Sequence, residues 1–261
     1  MTLRPTTIEA DGAVLAYSLV PWDSEVFGFP VAQIDHVVFE AGRSPDDVFA
    51  QFEGWCAEND VGLVSCRLDH TQLRESMILE DHGFRFIETV YEPRLASFDR
   101  IAVPGHAIDV AEAGPDDLPR IEAIAYDAFD TGRFLLDWRL PPDLSRRRYA
   151  NWVATSVGVP GRTVLKAEVE GELIGFFIVE HQADDGVYWH LTAVAPGWQG
   201  RGLGLSLWRT MLLRHQAEGA ASVGTTISGH NLAAINLYAR LGFTFATSRL
   251  TLHRLRGRGP S

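Results

Sequence analysis

The sequence predicts a mixed α/β fold in two units, and three observations carry that prediction. Residues 191–194 form an apolar strand that passes through a glycine-rich loop straight into a helix ending near residue 213. Strand-like and helix-like hydrophobic patterns alternate along the chain, as they do where helices cover a sheet. The pattern then restarts after Pro104-Gly105, dividing the chain into residues 1–103 and 104–261.

Composition agrees with this. At 261 residues, 46% hydrophobic and 22% charged, the chain suits a globular protein of one large or two medium domains. A formal net charge of −11 argues against general nucleic-acid binding, which calls for a basic surface, but not against an anion held by local dipoles. The basic clusters, Arg146 to Arg148 and Arg254, Arg256 and Arg258, read as a solvated helix face and a loose tail. Cys56 and Cys66 are too few for a disulfide framework, and no Cys/His spacing implies a metal. The start, Met1 to Thr7, does not read as a signal peptide, and no apolar run approaches the roughly 18 residues of a membrane span. The expected location is the cytoplasm, with no membrane partner.

In the first unit, residues 14–20 and 31–38 read as strands. They are joined by a connector, residues 21–30, whose Trp22, Phe27 and Phe29 are packing residues by type. Ser44-Pro45 opens a helix by N-cap and Pro-at-N1 chemistry, and Val48, Phe49, Phe52, Trp55 and Cys56 fall on one face of it. Residues 62–67 are a strand, 72–82 a helix closed by Gly83, and 84–94 a strand. In the second unit a strand over 108–111 precedes helices over 114–129 and 143–157, separated by a loop. Residues 163–169 and 172–180 form a hairpin around Glu170-Gly171, and 186–194 a third strand. After the loop come a helix (202–218), a strand (222–228), a helix (231–241) and a strand region (243–255). Leu73, Ile78, Gly83 and Phe84 align without gaps with Leu232, Leu237, Gly242 and Phe243. That pattern is either an internal repeat or a common helix-to-strand junction. As a repeat, it makes the first half a degenerate copy without the glycine loop, a wall for substrate.

The glycine loop is an anion cradle. Gly200, Gly202 and Gly204 allow tight turns and close backbone approach, and the N–H groups of the helix start point at the same spot, so a diphosphate fits. A Walker loop needs Lys then Ser or Thr after its last glycine, where this chain has Leu205-Ser206. A dinucleotide fingerprint needs a third small residue where Leu205 or Leu207 stands, and the strand over 222–228 ends without an acidic residue. Gln199-x-x-Gly202-x-Gly204 instead resembles the Q/R-x-x-G-x-G/A pyrophosphate loop of the GNAT superfamily, the acyl-CoA-dependent N-acyltransferases. Gly229-His-Asn-Leu-Ala-Ala-Ile-Asn-Leu-Tyr-Ala-Arg-Leu-Gly-Phe243 resembles that superfamily's N-x-x-A-x-x-L-Y-x-x-x-G-F signature almost letter for letter. The likeness covers about residues 108–255. More loosely, Trp22 to Phe29, Asp81 to Glu88 and residues 133–153 resemble the bacterial dTDP-fucosamine acetyltransferase type, with substitutions throughout.

The resemblance implies a GNAT fold in the second domain and a smaller, degenerate GNAT-like α/β first domain. It implies acetyl-CoA as cosubstrate and direct transfer to the amine of an amino-deoxy sugar nucleotide or related small amine. Main-chain N–H groups of Gln199, Gly200, Arg201, Gly202, Leu203 and Gly204 are expected to take the diphosphate. The pantetheine is expected beside Leu191, Ala193 and Val194, with the Val194 N–H donating to the thioester carbonyl. Asn231 is expected both to cap its helix and to contact the cosubstrate. Tyr238, two turns on along that face, matches the family's general acid, a phenol whose ordinary pKa near 10 suits a departing thiolate. Strand alternation puts His190 on one face with Tyr188 and Thr192, where it is a candidate base or a structural histidine. Glu88, which matches a carboxylate of the sugar-nucleotide enzymes, is the alternative, holding the sugar or its amine. Transfer to a peptide N-terminus or antibiotic amine, and a non-catalytic acyl-CoA-binding module, are the other readings. An exposed sheet end could pair two subunits as a homodimer.

Overall fold

The computed structural model describes residues 5–257, so Arg258 and the first four residues of the chain lie outside it. The chain runs β1 (Thr6–Ala10), β2 (Ala13–Leu19), α1 (Pro21–Phe27), β3 (Val31–Phe39), α2 (Asp46–Glu58), β4 (Leu63–Asp69), α3 (Leu73–Asp81) and β5 (Arg85–Tyr91). It continues through β6 (Arg94–Leu95), β7 (Asp109–Glu112), α4 (Leu118–Ala128), α5 (Arg133–Leu136), α6 (Pro142–Ser156), β8 (Arg162–Val169), β9 (Glu172–His181) and β10 (Gly186–Val194). A 3-10 turn (Pro196–Trp198) then leads to α7 (Leu203–Ala217), β11 (Ser222–Thr225), β12 (Ile227–Ser228), α8 (Leu232–Arg240) and β13 (Ser248–Leu255).

Two units result, and each draws a strand from the far part of the chain. Among the described residues the first comprises 5–89, Asp137–Leu140 and 248–257; the second comprises Val90–Leu136 and Pro141–Thr247. The division therefore differs from the single break expected at residue 103. The last strand, β13, pairs antiparallel with β4 along its full length and buries Leu252 in the first core. β6, which precedes that break, pairs with β11 in the second unit. Alternating residues identify a strand but do not say which sheet receives it.

In the first unit the strand order is β1-β2-β3-β4-β13-β5. Phe49, Phe52 and Cys56 of α2 pack on Leu15, Tyr17, Ile34 and Val64. The expected connector is the helix α1, started by Pro21 and closed by Gly28 at φ 71, a left-handed value that a side chain would strain. Arg254 is not part of a loose tail: it is 7% exposed, ion-paired with Glu53 at 2.5 Å, and lies over Phe52 and Phe84. The Arg146 to Arg148 run does sit on a helix, with Arg147 paired to Asp143.

The second unit has strand order β6-β11-β10-β9-β8-β7 and two cores, one on each face of the sheet. Leu207, Met211 and Leu212 of α7 pack with Trp189, Val223 and Tyr238. Ile121 and Ala125 of α4 and Val153 of α6 pack with Phe176, Ile178 and Leu191. The strand expected over 222–228 divides at Thr226, and of the region expected over 243–255 only β13 is a strand. Among the described residues no helix is long and apolar enough to cross a membrane, and no His, Cys, Asp and Glu group suits a metal ion.

Candidate active site

β10 sets the geometry. It pairs parallel with β11 from Gly186 to Trp189 and then continues to Val194 beyond the end of that ladder. A β-bulge between Trp189 and Leu191 interrupts its antiparallel ladder with β9. The extra residue inverts the side-chain phase: Val187 and Trp189 face the core under α7 and α8, whereas Leu191 and Ala193 face the core under α4 and α6. The Ala195 N–H donates to the Ile174 carbonyl at 2.8 Å. By the two-residue period of a strand, the N–H groups of Thr192 and Val194 therefore point the other way, toward the side that β11 has left.

The 3-10 turn delivers the chain from this edge to the glycine loop. Gln199 folds back, its amide donating to the Val194 carbonyl at 3.0 Å, and the Arg201 guanidinium lies 4.7 Å over the Trp198 ring. Gly200 and Gly202 have φ of 74 and 77, and a Cβ at Gly200, Gly202 or Gly204 would meet no atom within 4 Å. Gly202 is the N-cap of α7 and no side chain caps that helix. The first turn of α7 thus has no side-chain cap and the three glycines put no Cβ over the loop, which fits the diphosphate of acetyl-CoA.

Asn231 caps α8 as expected, its Oδ1 accepting the Ala234 N–H at 3.0 Å. Seven residues on, Tyr238 is 1% exposed, with its ring edge-on to Phe243 at 4.8 Å. Burial raises its pKa above the usual phenol value, although the Trp208 indole and the Thr192 and Thr225 hydroxyls beside it pull the other way. The phenol therefore holds its proton at neutral pH.

The bulge corrects one expectation. His190 stays with Tyr188, ring centroids 4.9 Å apart, but Thr192 lies on the opposite face beside Tyr238. His190 also packs edge-on to Trp152 of α6 at 6.4 Å. Its Nε2 is 2.8 Å from Glu180 Oε2, and Arg162 donates to that same oxygen from Nε and Nη2. Burial lowers the His190 pKa, helped by Arg162 and opposed by Glu180. Glu180 itself is held below the ordinary carboxylate range, chiefly by Arg162.

The second unit thus contains His190, Leu191, Ala193, Val194, the Gln199 to Gly204 loop, Asn231 and Tyr238, while Glu88 belongs to the first. Glu88 is 2% exposed, with the Arg67 guanidinium 3.8 Å away. Glu180, Arg162, Thr225 and Trp208 escaped the sequence reading, and Thr192 was placed on the wrong face. Counted from the turn, where Val169 pairs with Glu172, the hairpin places Arg162 opposite Val179; a bulge after Ala167 shifts the register so that Arg162 meets Glu180.

The family model described as "Acetyltransferase (GNAT) family" matches residues 126–243. The chain is 27% identical to the spore coat polysaccharide biosynthesis protein SpsD of Bacillus subtilis (strain 168), over 92% of its own length and 83% of that protein's. It is 30% identical to the L-methionine sulfoximine/L-methionine sulfone acetyltransferase of Pseudomonas aeruginosa, over 51% of its own length and 78% of that protein's. In fold it is similar to a tandem GNAT protein from the clavulanic acid biosynthesis pathway, with a TM-score of 0.63, 17% identity, and coverage of 95% of this chain and 80% of that one.

Proposed function

Because the chain belongs to the acetyltransferase (GNAT) family and is an acyl-CoA-dependent N-acetyltransferase, we propose that its acceptor is the primary amine of an amino-deoxy sugar nucleotide. One observation carries the substrate class. The likeness to the polysaccharide-biosynthesis protein extends over 92% of the chain and so takes in both units, whereas the likeness to the methionine sulfoximine acetyltransferase covers 51%. Most of what the shorter likeness leaves uncovered is thus shared with a protein named for making a polysaccharide, a product assembled from sugars.

Acetyl-CoA, when bound, supplies the acetyl group as a thioester. In this reading the loop from Gln199 to Gly204 holds the diphosphate, and Leu191, Ala193, Val194 and Asn231 line the rest of the cosubstrate. The Val194 N–H orients and polarises the carbonyl. Tyr238, neutral because it is buried, donates the proton to the departing sulfur. His190, neutral because burial outweighs its carboxylate neighbour, accepts a proton from the amine. Glu88 is the second candidate for handling the amine or sugar, and Glu88→Gln tests that role.

Free-thiol release from acetyl-CoA, measured over a panel of dTDP- and UDP-linked amino sugars, aminoglycosides, amino acids and peptides, tests the substrate class. Turnover is expected to be highest on a nucleotide amino sugar. A higher kcat/KM on a peptide or aminoglycoside would overturn the acceptor assignment, and tight acetyl-CoA binding without turnover on any amine would overturn the transferase reading itself.

A further inference from the structure

A base must present a lone pair to its substrate, and for histidine that requires one ring nitrogen to carry the neutral ring's proton and be held away. Three adjacent strands of the second unit arrange this around His190. Glu180 of β9 lies opposite Tyr188 of β10 on one side and opposite Arg162 of β8 on the other. Ordinary alternation puts His190 on the Tyr188 face, and the bulge between Trp189 and Leu191 sends Thr192 to the opposite one. Its Nε2 meets Glu180 Oε2 at 2.8 Å, and Arg162 holds that same oxygen at 2.8 and 3.2 Å. A carboxylate accepts and does not donate, so the contact requires an N–H on Nε2.

We propose that Glu180, anchored by Arg162, is a positioning residue that fixes neutral His190 as the Nε2–H tautomer and leaves Nδ1 as the atom that accepts the acceptor amine's proton. The base role of His190 is taken from the proposed function; the tautomer and its cause are new. The proton balance is simple. The N–acetyl bond forms as the carbonyl C–S bond of the thioester breaks: one proton leaves the amine nitrogen for Nδ1, giving an imidazolium whose Nε2–H faces the Glu180 carboxylate, and the departing thiolate takes its proton from Tyr238. The groups around the ring are Glu180 on β9, Arg162 on β8, Tyr188 on β10, whose hydroxyl is 2.6 Å from Thr226, and Trp152 on α6, which carries Arg148 at 5.4 Å from its ring centroid. Glu180 favours the imidazolium, and Arg162 and burial oppose it.

The test combines nitrogen-15 NMR of the imidazole, without cosubstrate, with pH profiles of kcat/KM. His190 in the parent is expected to show the Nε2–H signature. Glu180→Leu is expected to mix the tautomers and lower kcat/KM about tenfold at an unchanged acetyl-CoA Kd. Glu180→Gln, which keeps an acceptor and removes the charge, moves the acid limb to lower pH. Arg162→Met moves it to higher pH, a pair of opposite shifts that a merely structural role would not give. A neutral His190 carrying its proton on Nδ1, or an acid limb unmoved in both charge variants while His190→Gln abolishes it, overturns the positioning role. Full activity with the parent's acid limb in His190→Gln overturns the base role instead, and leaves the tautomer to be decided by the NMR signature alone.

Discussion

Each unit contains a bulged strand that runs parallel to a neighbour for a few residues and then leaves it, and the two edges so exposed are treated differently. In the first unit β3 pairs with β4 from Val31 to Ile34 and is bulged against β2 just after Ile34. In the second β10 pairs with β11 from Gly186 to Trp189 and is bulged just after Trp189. The helices that follow also end alike: Phe84 N–H bonds to the Leu79 carbonyl at 3.0 Å, and Phe243 N–H to the Tyr238 carbonyl at 3.1 Å. Gly83 and Gly242 make these turns at φ 84 and 87. Past the bulge the likeness stops. On β3 the Gln72 amide donates to the Val37 carbonyl at 3.1 Å while its oxygen accepts the Asp69 N–H at 3.0 Å, lacing the splayed strands together. Glu75 accepts the Phe39 N–H and Arg74 donates to the Phe39 carbonyl, both at 3.3 Å. On β10 the Thr192 and Val194 N–H groups are turned to the side β11 has left. Backbone polar groups need partners. The first unit supplies them to β3 from Gln72, Arg74 and Glu75; on β10, in the function proposed above, the cosubstrate's amides would take that place.

The glycine loops give the largest test of that contrast. Gly42, in the loop after β3, and Gly202, in the loop after β10, both have φ of 77 and open space where a Cβ would stand. Valine at such an angle costs roughly 1–2 kcal/mol, and at Gly202 it also fills the anion cradle. Gly202→Val is expected to raise the acetyl-CoA Kd by about 30-fold or more in calorimetric titration, and Gly42→Val to leave it within about twofold. Equal losses would erase the difference between the loops.

Next in size is the pair Tyr238 and Leu79, which occupy the same place before their glycine turns. Tyr238→Phe is expected to lower kcat by about 10- to 100-fold at a nearly constant acetyl-CoA Kd, the behaviour of a lost proton donor. Leu79→Met keeps the apolar volume and is expected to leave kcat unchanged. Parent-level turnover in Tyr238→Phe would remove the phenol from the reaction.

How far the sequence revealed this follows from what local residues encode. The loop from Gln199 to Gly204 and the cap at Asn231 were legible because short-range spacing fixes a turn and a helix start. The strand from Gly186 to Val194 was legible by pattern, but the bulge at His190 was not, because one extra residue reverses the period without changing residue types. Thr192 was therefore assigned to the wrong face. The Glu180 contacts were hidden by a register shift near Ala167 that neither strand shows alone. The exchange of β6 and β13 was illegible for a different reason: a strand's partner is set by tertiary packing, and both segments read simply as strands.

A smaller effect is expected at the lacing itself. Gln72→Ala leaves the Val37 carbonyl and the Asp69 N–H without their side-chain partner, costing about 1 kcal/mol in urea unfolding. Acetyl-CoA stoichiometry is expected to stay at one per chain, because the loop of residues 40–45 and the start of α2 supply Ser44 and Asp46, whose carboxylate accepts the Ser44 hydroxyl, where an anion cradle would need free donors. A second binding event in Gln72→Ala would show the first edge to be a blocked cosubstrate site.

The smallest expected effect concerns pH. His215, on α7 and 1% exposed, accepts the Trp189 indole N–H on Nε2 at 3.0 Å while its Nδ1 faces Glu218. A proton on Nε2 would oppose the indole N–H, and burial lowers the His215 pKa despite the Glu218 carboxylate. A folded pKa below the unfolded value near 6.5 means that this histidine's contribution is complete above that pH and is lost as pH falls toward the folded value. His82 of the first unit, stacked on Phe49 at 3.5 Å, is shifted the same way by burial but is partly exposed. Acid is therefore expected to loosen α7 before α2. Between pH 7 and 5.5, hydrogen exchange corrected for intrinsic rates should quicken in α7 more than in α2, and His215→Gln, which keeps an acceptor for the indole, should remove most of the α7 response. Equal acceleration in both helices would locate the acid sensitivity elsewhere than at His215.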